Sequence, residues 1–474
     1  MLEAVRVHSD IDRSPFASLS QPAFKPYRID NTQVKKIIHE LDKGQSILFG
    51  HHKTPGILQL AAAVSVYGTA RSADNSEFFP YQEMYEMTRE CGRQLAKHGF
   101  IVVTGGGPGA MEAANRGCME GGTYSAGVGI RLPFEQTNNS FLDKSLVTGY
   151  FCTRKMLFAK ASKAFISTPG GYGTLDEFFE MWNLEAKADR RINKPLVLLG
   201  REFWQPIDEL LRHYSEKYNV ISPRQLAMVS LTDCPEHACK IVKLMEYQNP
   251  ELFESKRVYD KEMLKRVRGD LFGAMSALVD NAPYVSVIGG SSNGLTDNAS
   301  LVEAKKLGAY LAQDRIATLT TGVNCLTQSF NEGVLAKGGI ASGFVHRPYE
   351  TKSNSFLSTE IVHSYRLTAE VMAMKYGAKA EIFFPGGLGM LDRLFEQATL
   401  IQTGITPDRR ILCVGKDYFE PLVDHMQGHF YRKYRTISED DHKIIEVVDS
   451  AEQAFEIARA EYIRTLDERL KKAA

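Results

Sequence analysis

A repeat with an offset of 216 residues constrains this chain more than any other feature of its sequence. The segment PGGYGTLDEFFE at 169–180 returns as PGGLGMLDRLFE at 385–396, and HYSEKYNVIS at 213–222 returns as HFYRKYRTIS at 429–438. VSVYGTARS at 64–72 is likewise matched by VSVIGGSSN at 285–293. Because this repeat is as long as an ordinary domain, the sequence predicts one unit of about 190 residues that occurs twice.

Apolar strands, glycine turns and amphipathic helices alternate within each unit. The first unit reads AVSVYG, then the helical pattern YQEMYEMTRECGRQLAKHG, then FIVVTGGG and the second helical pattern AMEAANRGCMEGG. Such alternation predicts an α/β fold of two tandem Rossmann-like, doubly wound parallel-sheet units, the second degenerate. We expect an N-terminal extension over 1–55, a first Rossmann domain over 56–249, a helical connector over 250–282 and the degenerate Rossmann domain over 283–474.

Charge and cysteine content narrow the class of ligand. The chain has 57 basic and 57 acidic residues and a formal net charge of zero, which favours neither nucleic acid nor an anionic membrane. Seven scattered cysteines are typical of reduced thiols, and neither a secretory leader nor an apolar run of about 20 residues is visible. We therefore expect a cytoplasmic protein that binds a small molecule.

Two glycine turns have the pattern of a phosphate site. TGGGPGAME follows one strand and TPGGYGTLDE follows another, and each opens a helix whose first amides can bind an anion. Either turn alone could be a tight strand-to-helix connection, but the two together favour a ligand with one concentrated charge, such as a nucleoside monophosphate. The candidate binding residues are Gly105, Gly106, Gly107, Gly109, Gly170, Gly171, Gly173 and Thr174.

A charge exchange between the two units points to a pair of residues. Arg154 corresponds to Glu370, and Glu177 corresponds to Arg393, so arginine and glutamate have changed places together. Such a coupled exchange predicts that Arg154 and Glu177 touch, because a single reversal would bring like charges together. The alternative interpretation is a capping box, in which Thr174 caps a helix and Glu177 bonds back to the Thr174 amide.

These motifs resemble those of the Lonely Guy (LOG) family of nucleoside 5'-monophosphate phosphoribohydrolases, long labelled as lysine decarboxylases. An Arg154–Lys155 pair precedes PGGYGTLDE, GGGPGAMEAANRG spans 105–117, and LPFEQTNN spans 132–139. The resemblance covers 64–243 strongly and 285–460 as a decayed copy.

The resemblance implies hydrolysis of the N-glycosidic bond to a free base and ribose 5-phosphate, in the first Rossmann domain. Arg154 and Glu177 would be catalytic, and Lys155 and the glycine turns would bind substrate. Glu112 would contact ribose hydroxyls, although an acid in the first turn of a helix also stabilises that helix without a ligand. Neither a cofactor nor a metal is implied.

The second copy departs from this pattern: GGGPG becomes TTGVN, Glu112 corresponds approximately to Thr327, and the catalytic pair is inverted. We expect it to be silent and to act as an internal partner, forming a pseudo-dimer that is compatible with further homo-oligomerisation. One alternative is a nucleotide or cofactor carrier without chemistry. The other is a pyridoxal phosphate decarboxylase that uses one of three nearby lysines, namely Lys155, Lys160 and Lys163.

Overall fold

Two β-sheets, one for each repeat, form the framework of the structure, and all of their strands are parallel except the edge strand β1 of the second. The computed structural model describes residues 5–7, 31–51, 54–59, 61–71, 79–133, 137–188, 193–254, 260–268, 284–290, 298–320, 324–346, 357, 359–363, 378–407 and 409–473. The predicted fold class is confirmed. None of the helices in these ranges is both long and apolar enough to cross a bilayer.

The strands are numbered in chain order. They are β1 (Val5–Val7), β2 (Gly50–His51), β3 (Thr54–Pro55), β4 (Ala63–Tyr67), β5 (Ile101–Thr104), β6 (Ser125–Ile130), β7 (Lys144–Thr148), β8 (Ser162–Ser167), β9 (Leu196–Leu199), β10 (Val229–Thr232), β11 (Tyr284–Gly290), β12 (Ala317–Thr320), β13 (Ala341–His346), β14 (Thr359–His363), β15 (Ala378–Gly386), β16 (Arg410–Val414) and β17 (Ile445–Val448).

The helices are numbered in the same way. They are α1 (Asn31–Phe49), α2 (Phe79–Lys97), α3 (Ala110–Glu120), α4 (Phe151–Ala161), α5 (Tyr172–Lys187), α6 (Arg201–Tyr218), α7 (Pro223–Leu226), α8 (Pro235–Gln248), α9 (Pro250–Glu254), α10 (Asn298–Gln313), α11 (Cys325–Ala336), α12 (Leu388–Gln402), α13 (Lys416–His425) and α14 (Ala451–Ala473). Residues 261–268, within the predicted connector, are also helical.

The first sheet has the order β10-β9-β8-β4-β5-β6-β7, and all of its neighbouring strands are parallel. Every residue of β4, β5, β6, β8 and β9 is buried, as expected for parallel strands covered by helices on both faces. The chain leaves central β4 for β5 on one side and later reaches β8 on the other. In sheets of this kind, ligands bind beside such a reversal, at the carboxyl ends of the strands.

The second sheet repeats this arrangement with the order β1-β14-β13-β12-β11-β15-β16-β17. Its edge strand β1 comes from the N-terminal extension and runs antiparallel to β14. The second repeat therefore includes a strand from the other end of the chain.

One glycine in each repeat keeps two helices in close contact. A Cβ on Gly117 of α3 would lie 1.8 Å from the Arg89 carbonyl oxygen of α2, and a Cβ on its counterpart Gly333 would lie 2.0 Å from the Lys305 carbonyl oxygen. Real side chains do not approach that closely, so both helix pairs need glycine at this position. The repeat is thus visible in the packing as well as in the sequence.

The two repeats pack against each other through α5 and α12. Phe179 and Phe395, which occupy the same position in the two repeats, stack with their ring centroids 5.2 Å apart and an interplanar angle of 8°. Tyr214 of α6 stacks on Tyr418 of α13 at 4.0 Å, and its hydroxyl donates to the Tyr418 carbonyl oxygen. One hydrophobic core cluster contains buried residues of both repeats.

Candidate functional site

Three turns at the carboxyl ends of β4, β5 and β8 are joined by backbone hydrogen bonds. The Thr69 amide, after β4, donates to the Pro169 carbonyl oxygen at 3.1 Å, and the Ala110 amide donates to the Thr69 carbonyl oxygen at 2.9 Å. Gly68 allows this contact, because a Cβ there would lie 2.3 Å from Thr168 Oγ1 and 2.5 Å from Ala110 Cβ. The two predicted glycine turns therefore lie side by side.

The turn after β5 leaves the first amides of α3 without a side-chain cap. Gly106 and Gly109 have φ angles of +74° and +71°, which glycine adopts far more readily than other residues. Gly109 is the N-cap of α3 and makes no side-chain cap hydrogen bond. Asn139 supports the turn from outside, because its amide nitrogens donate to the Gly106 and Gly107 carbonyl oxygens at 2.8 and 2.9 Å. A helix start without a side-chain cap is the kind of site that can bind an anion such as phosphate.

The turn after β8 starts α5 at Tyr172, with Gly171 as an N-cap that makes no side-chain cap hydrogen bond. A Cβ on Gly170 would lie 2.0 Å from Thr174 Oγ1, so the buried threonine packs directly on this glycine. Gly173 has open space where a Cβ would be. Since the helix begins two residues before Thr174, the alternative capping box between Thr174 and Glu177 is not formed.

Arg154 and Glu177 meet at this junction, as the charge exchange predicted. Arg154 Nη2 of α4 donates to Glu177 Oε1 of α5, and the two side chains are only 10% and 9% exposed. Phe151 and Phe158 flank the guanidinium, with its central carbon 5.0 and 5.8 Å from their ring centroids. Gly105 lies alongside, since a Cβ there would be 3.6 Å from Arg154 Nη1.

The Glu177 carboxyl is tuned by opposing effects. Burial raises its pKa above the ordinary value of 4.5, and the charge of Arg154 pulls it back in part. Buried Arg154 Nε has no hydrogen-bond partner among the described residues. The pair therefore combines a desolvated carboxyl with a buried arginine N–H that no described residue accepts.

Glu112 and Lys155 differ in how they relate to the glycine turns. Glu112, in the first turn of α3, accepts a hydrogen bond from the Tyr85 hydroxyl at 3.1 Å, so it stands at the open helix start. Lys155 is 1% exposed, and its ammonium lies 2.6 Å from Asp176, 3.1 Å from Glu180 and 3.2 Å from Glu396 of the second repeat. These carboxylates raise the pKa of Lys155 well above its usual range despite burial. Lys155 thus holds an acidic cluster between the repeats.

The lysines of α4 are engaged by other side chains. The Lys160 ammonium donates to Gln45 Oε1 at 3.1 Å and to Asp260 Oδ2 at 3.2 Å. A lysine that forms a Schiff base needs a neutral amine, which the raised pKa of Lys155 opposes. The third lysine, Lys163, is the second residue of β8, and its side chain is buried.

In the second repeat, the helix that corresponds to α3 is α11, and an asparagine side chain caps its start. Asn324 is the N-cap of α11, and it accepts a hydrogen bond from the Thr327 amide at 3.0 Å as part of a capping box. Arg393, at the position of Glu177, is paired with Glu396 on the same helix. Glu370, the predicted partner of Arg393, lies outside the described residues. An amide that an anion could bind in the first repeat is therefore occupied in the second.

Several residues near the site were missed by sequence reasoning. Asn139 belongs to the segment NNSF at 138–141, which is repeated as SNSF at 353–356, and this repetition could have marked it as a structural residue of both repeats. Tyr85 shows no motif, and Arg71 is bound to Asp441 of the second repeat, 370 positions away, which no local pattern reveals.

A family model described as possible lysine decarboxylase matches residues 111–242 and 328–458, which together make up more than half of the chain. This chain belongs to that family. Its two matched regions coincide with the two repeats, and the family is the LOG family to which the motifs pointed.

Curated LOG relatives are similar to part of the chain. A cytokinin riboside 5'-monophosphate phosphoribohydrolase from Mycobacterium tuberculosis is 36% identical over 107 residues, or 22% of this chain and 56% of that protein. A probable enzyme of the same name from Oryza sativa subsp. japonica is 33% identical over 171 residues, or 34% of this chain and 65% of that protein. The chain thus spans less than two thirds of these relatives' length.

Among solved structures, a molybdenum cofactor carrier protein from Chlamydomonas reinhardtii is 26% identical, with 39% of this chain and 99% of that chain covered and a TM-score of 0.28. A molybdenum cofactor binding protein from Rippkaea orientalis is 19% identical, with 39% and 97% covered and a TM-score of 0.30.

Proposed function

We propose that the first repeat hydrolyses the N-glycosidic bond of nucleoside 5'-monophosphates to a free base and ribose 5-phosphate. Substrates would be AMP-like nucleotides, and cytokinin ribotides are included as candidates because the curated relatives carry that activity in their names. The observation that carries the proposal is the buried Arg154–Glu177 pair beside two uncapped glycine turns.

The glycine turns supply the phosphate contacts in this proposal. Gly105, Gly106, Gly107 and Gly109 would present amides at the start of α3, and Gly170, Gly171, Gly173 and Thr174 would do so at the start of α5. Both helix N-termini carry partial positive charge, which favours a phosphate dianion over a neutral group. Glu112, at the first of these helix starts, would accept hydrogen bonds from ribose hydroxyls.

The Arg154–Glu177 pair supplies the chemistry. As the bond between ribose C1′ and the base nitrogen breaks, its electron pair leaves with the base and positive charge grows on the ribose. The Glu177 carboxylate would stabilise that charge and take a proton from the attacking water, whose oxygen bonds to C1′. The proton would then pass to the departing base. Arg154 would hold the carboxylate in place and contact the substrate with its remaining donors.

The second repeat would act as a silent internal partner, so that one chain forms a pseudo-dimer with a single active site. The stacked counterparts Phe179 and Phe395 support this arrangement, because a two-fold axis brings equivalent residues together. We also propose that the protein works in the cytoplasm, which its seven free cysteines favour.

The decisive experiment incubates the full chain with a panel of nucleoside monophosphates and measures free base by chromatography. Glu177→Gln keeps the shape of the side chain but removes the charge, and we expect at least a 100-fold loss of turnover, of the order that general acid–base groups contribute. Full activity in this variant would contradict the assignment.

The same panel separates hydrolysis from binding alone. A carrier would show binding of nucleotides by calorimetry without release of base from any of them. Arg212→Gln, on the exposed face of α6, is the matched control because it also breaks an arginine–carboxylate pair. It should leave turnover unchanged.

A further inference from the structure

Arg71 connects the first strand-end turn to the second repeat. Its guanidinium Nη2 donates to Asp441 Oδ2 at 2.5 Å, across 370 positions of sequence. We propose that Arg71 binds the phosphate of the substrate in the first repeat's site, and that Asp441 of the silent repeat positions it. This inference rests on the proposed function and extends it, because the second repeat then contributes a positioning residue to the site.

The backbone of Arg71 is anchored where the glycine turns meet. The Arg71 amide donates to Thr69 Oγ1 at 3.1 Å. Thr69 in turn bonds to both glycine turns, through the Pro169 carbonyl oxygen and the Ala110 amide. Arg71 therefore begins its side chain two residues from the junction of the three turns.

Asp441 is fixed independently of Arg71. Its carboxylate accepts a hydrogen bond from the Ser438 amide at 2.6 Å, and its carbonyl oxygen accepts one from the Tyr172 hydroxyl at 3.1 Å. Burial acts to raise the pKa of Asp441, but the hydrogen bonds from Ser438 and the charge of Arg71 outweigh it and lower that pKa below its usual value. Asp441 is thus an ionised carboxylate held by Ser438, and its backbone contacts Tyr172, the first residue of α5.

A short segment of the second repeat, residues 434–441, packs against the first repeat beside Arg71. A Cβ on Gly171 would lie 2.6 Å from the Thr436 carbonyl oxygen, and the Tyr81 hydroxyl of α2 donates to the Arg435 carbonyl oxygen at 2.6 Å. The segment therefore contacts the glycine turn that precedes α5 as well as Arg71. Asp441, the last residue of this segment, holds the guanidinium through its bond to Arg71 Nη2.

The guanidinium keeps donors for a ligand. Arginine has five N–H donors in a planar fork, and among the described residues Asp441 is the group that Arg71's side chain bonds. The Arg71 side chain is 40% exposed, whereas that of Asp441 is 10% exposed. The guanidinium is therefore partly open to solvent, although the carboxylate that binds it is buried. Phosphate oxygens match such a fork, and the uncapped helix starts, which Thr69 links to the backbone of Arg71, attract the same charge.

The test measures binding of ribose 5-phosphate and of inorganic phosphate to the full chain by calorimetry. We expect Arg71→Gln to weaken binding of both probes by about tenfold, the effect of losing a charge-assisted hydrogen bond. Asp441→Asn should weaken binding less, and the double variant should bind no worse than Arg71→Gln alone, because Asp441 acts through Arg71. In turnover assays the loss should appear in KM more than in kcat.

The matched control is Arg459→Gln, which breaks a half-exposed arginine–aspartate pair with Asp314 in the second repeat. It should leave both affinities unchanged. If the Arg71 and Asp441 variants lower the unfolding temperature but bind ribose 5-phosphate as well as the wild type, the pair is a clamp between repeats and the inference is wrong.

Failure of this inference differs from failure of the proposed function. Release of base by the wild type, with unchanged KM and affinity in Arg71→Gln, overturns the role of Arg71 alone. Weakened phosphate binding in Arg71→Gln without base release from any nucleotide supports Arg71 and overturns hydrolysis. Absence of measurable binding of either probe to the wild type overturns both.

Discussion

At the scale of single residues, Glu177 is the group on which the proposed chemistry depends. Its carboxyl is buried against Arg154 and flanked by aromatic rings on the arginine side, so the two charges interact in a medium that screens them weakly. Burial raises the pKa of Glu177 and Arg154 opposes that rise. In the proposed reaction, the balance between these two effects on the pKa would decide at which pH the carboxylate can act as a base.

The first prediction concerns the pH dependence of turnover. If ionised Glu177 is the base, kcat/KM should fall as the pH drops through the raised pKa of this carboxyl, so the acid limb should lie above 4.5. Arg154→Gln removes the charge that lowers this pKa, and the acid limb of the residual activity should therefore move to higher pH. Rate profiles between pH 4 and 9 test both statements, and a shift to lower pH would contradict them.

The contact between Arg154 and Glu177 could be predicted from the sequence because both residues change together between repeats. The surroundings of Lys155 could not, because one of its carboxylates, Glu396, lies 241 positions away on a helix of the other repeat. Lys155 follows Arg154 directly on α4, yet neighbouring side chains on a helix point about 100° apart. Arg154 and Lys155 are adjacent in the motif, yet the first contacts Glu177 and the second contacts the acidic cluster between the repeats.

A second prediction tests the structural role of Lys155. Lys155→Met leaves Asp176, Glu180 and Glu396 buried without their shared ammonium, and should lower the free energy of unfolding by about 3–5 kcal/mol. Burial already raises the pKa of Asp176 to about 7 and that of Glu180 well above 4.5. Folding therefore takes up protons, and stability falls as the pH rises from the unfolded values toward the folded ones.

Loss of the ammonium removes the effect that lowers both pKa values, so the variant should be destabilised more at pH 8 than at pH 5. Denaturant unfolding at the two pH values measures this difference. An equal loss at both would show that the carboxylates are already protonated in the wild type.

At the scale of elements, the alternation of strands and helices was enough to predict the sheets. Parallel strands are buried on both faces, so in the sequence they are apolar, β-branched runs, and here they end at glycine. The start of α5 was harder to predict. Thr174 and Glu177 have the spacing of a capping box, but Gly170 and Gly171 let the chain enter the helix earlier, at Tyr172. The edge strand β1 was also missed, since three residues of an N-terminal extension give no periodic signal.

A third prediction uses the close contact between α2 and α3. Gly117→Ala places a methyl group where the Arg89 carbonyl oxygen lies, 1.8 Å away, so the helices must separate. We expect a loss of about 1–3 kcal/mol in the free energy of unfolding, as for other overpacked sites, and weaker ribose 5-phosphate binding because α3 carries the glycine turn. Gly428→Ala is the matched control, since a Cβ there meets nothing within 4 Å.

At the scale of the whole molecule, the proposed function assigns catalysis to the first repeat and support to the second. Both repeats keep the sheet, the glycine-linked helix pair and the stacked phenylalanines at their junction. The first repeat leaves α3 without a side-chain cap, whereas Asn324 caps the corresponding helix α11 in the second. The helices after the other glycine turn, α5 and α12, both lack a side-chain cap. Residues 434–441 of the second repeat contact the first repeat beside its glycine turns, through Arg71, Tyr81 and Gly171.

A fourth prediction follows for the number of ligand sites. Glu177→Gln, which cannot turn over, should bind a nucleoside monophosphate with a stoichiometry of one per chain, although the chain carries two repeats. The Asn324 side chain competes with an anion for the Thr327 amide, and Arg393 is already paired with Glu396. Titration calorimetry measures the stoichiometry, and two sites of similar affinity would contradict a silent second repeat. Asn324→Gly, which removes the competing oxygen at little cost to the cap, should leave the first site's affinity unchanged because that residue lies in the other repeat.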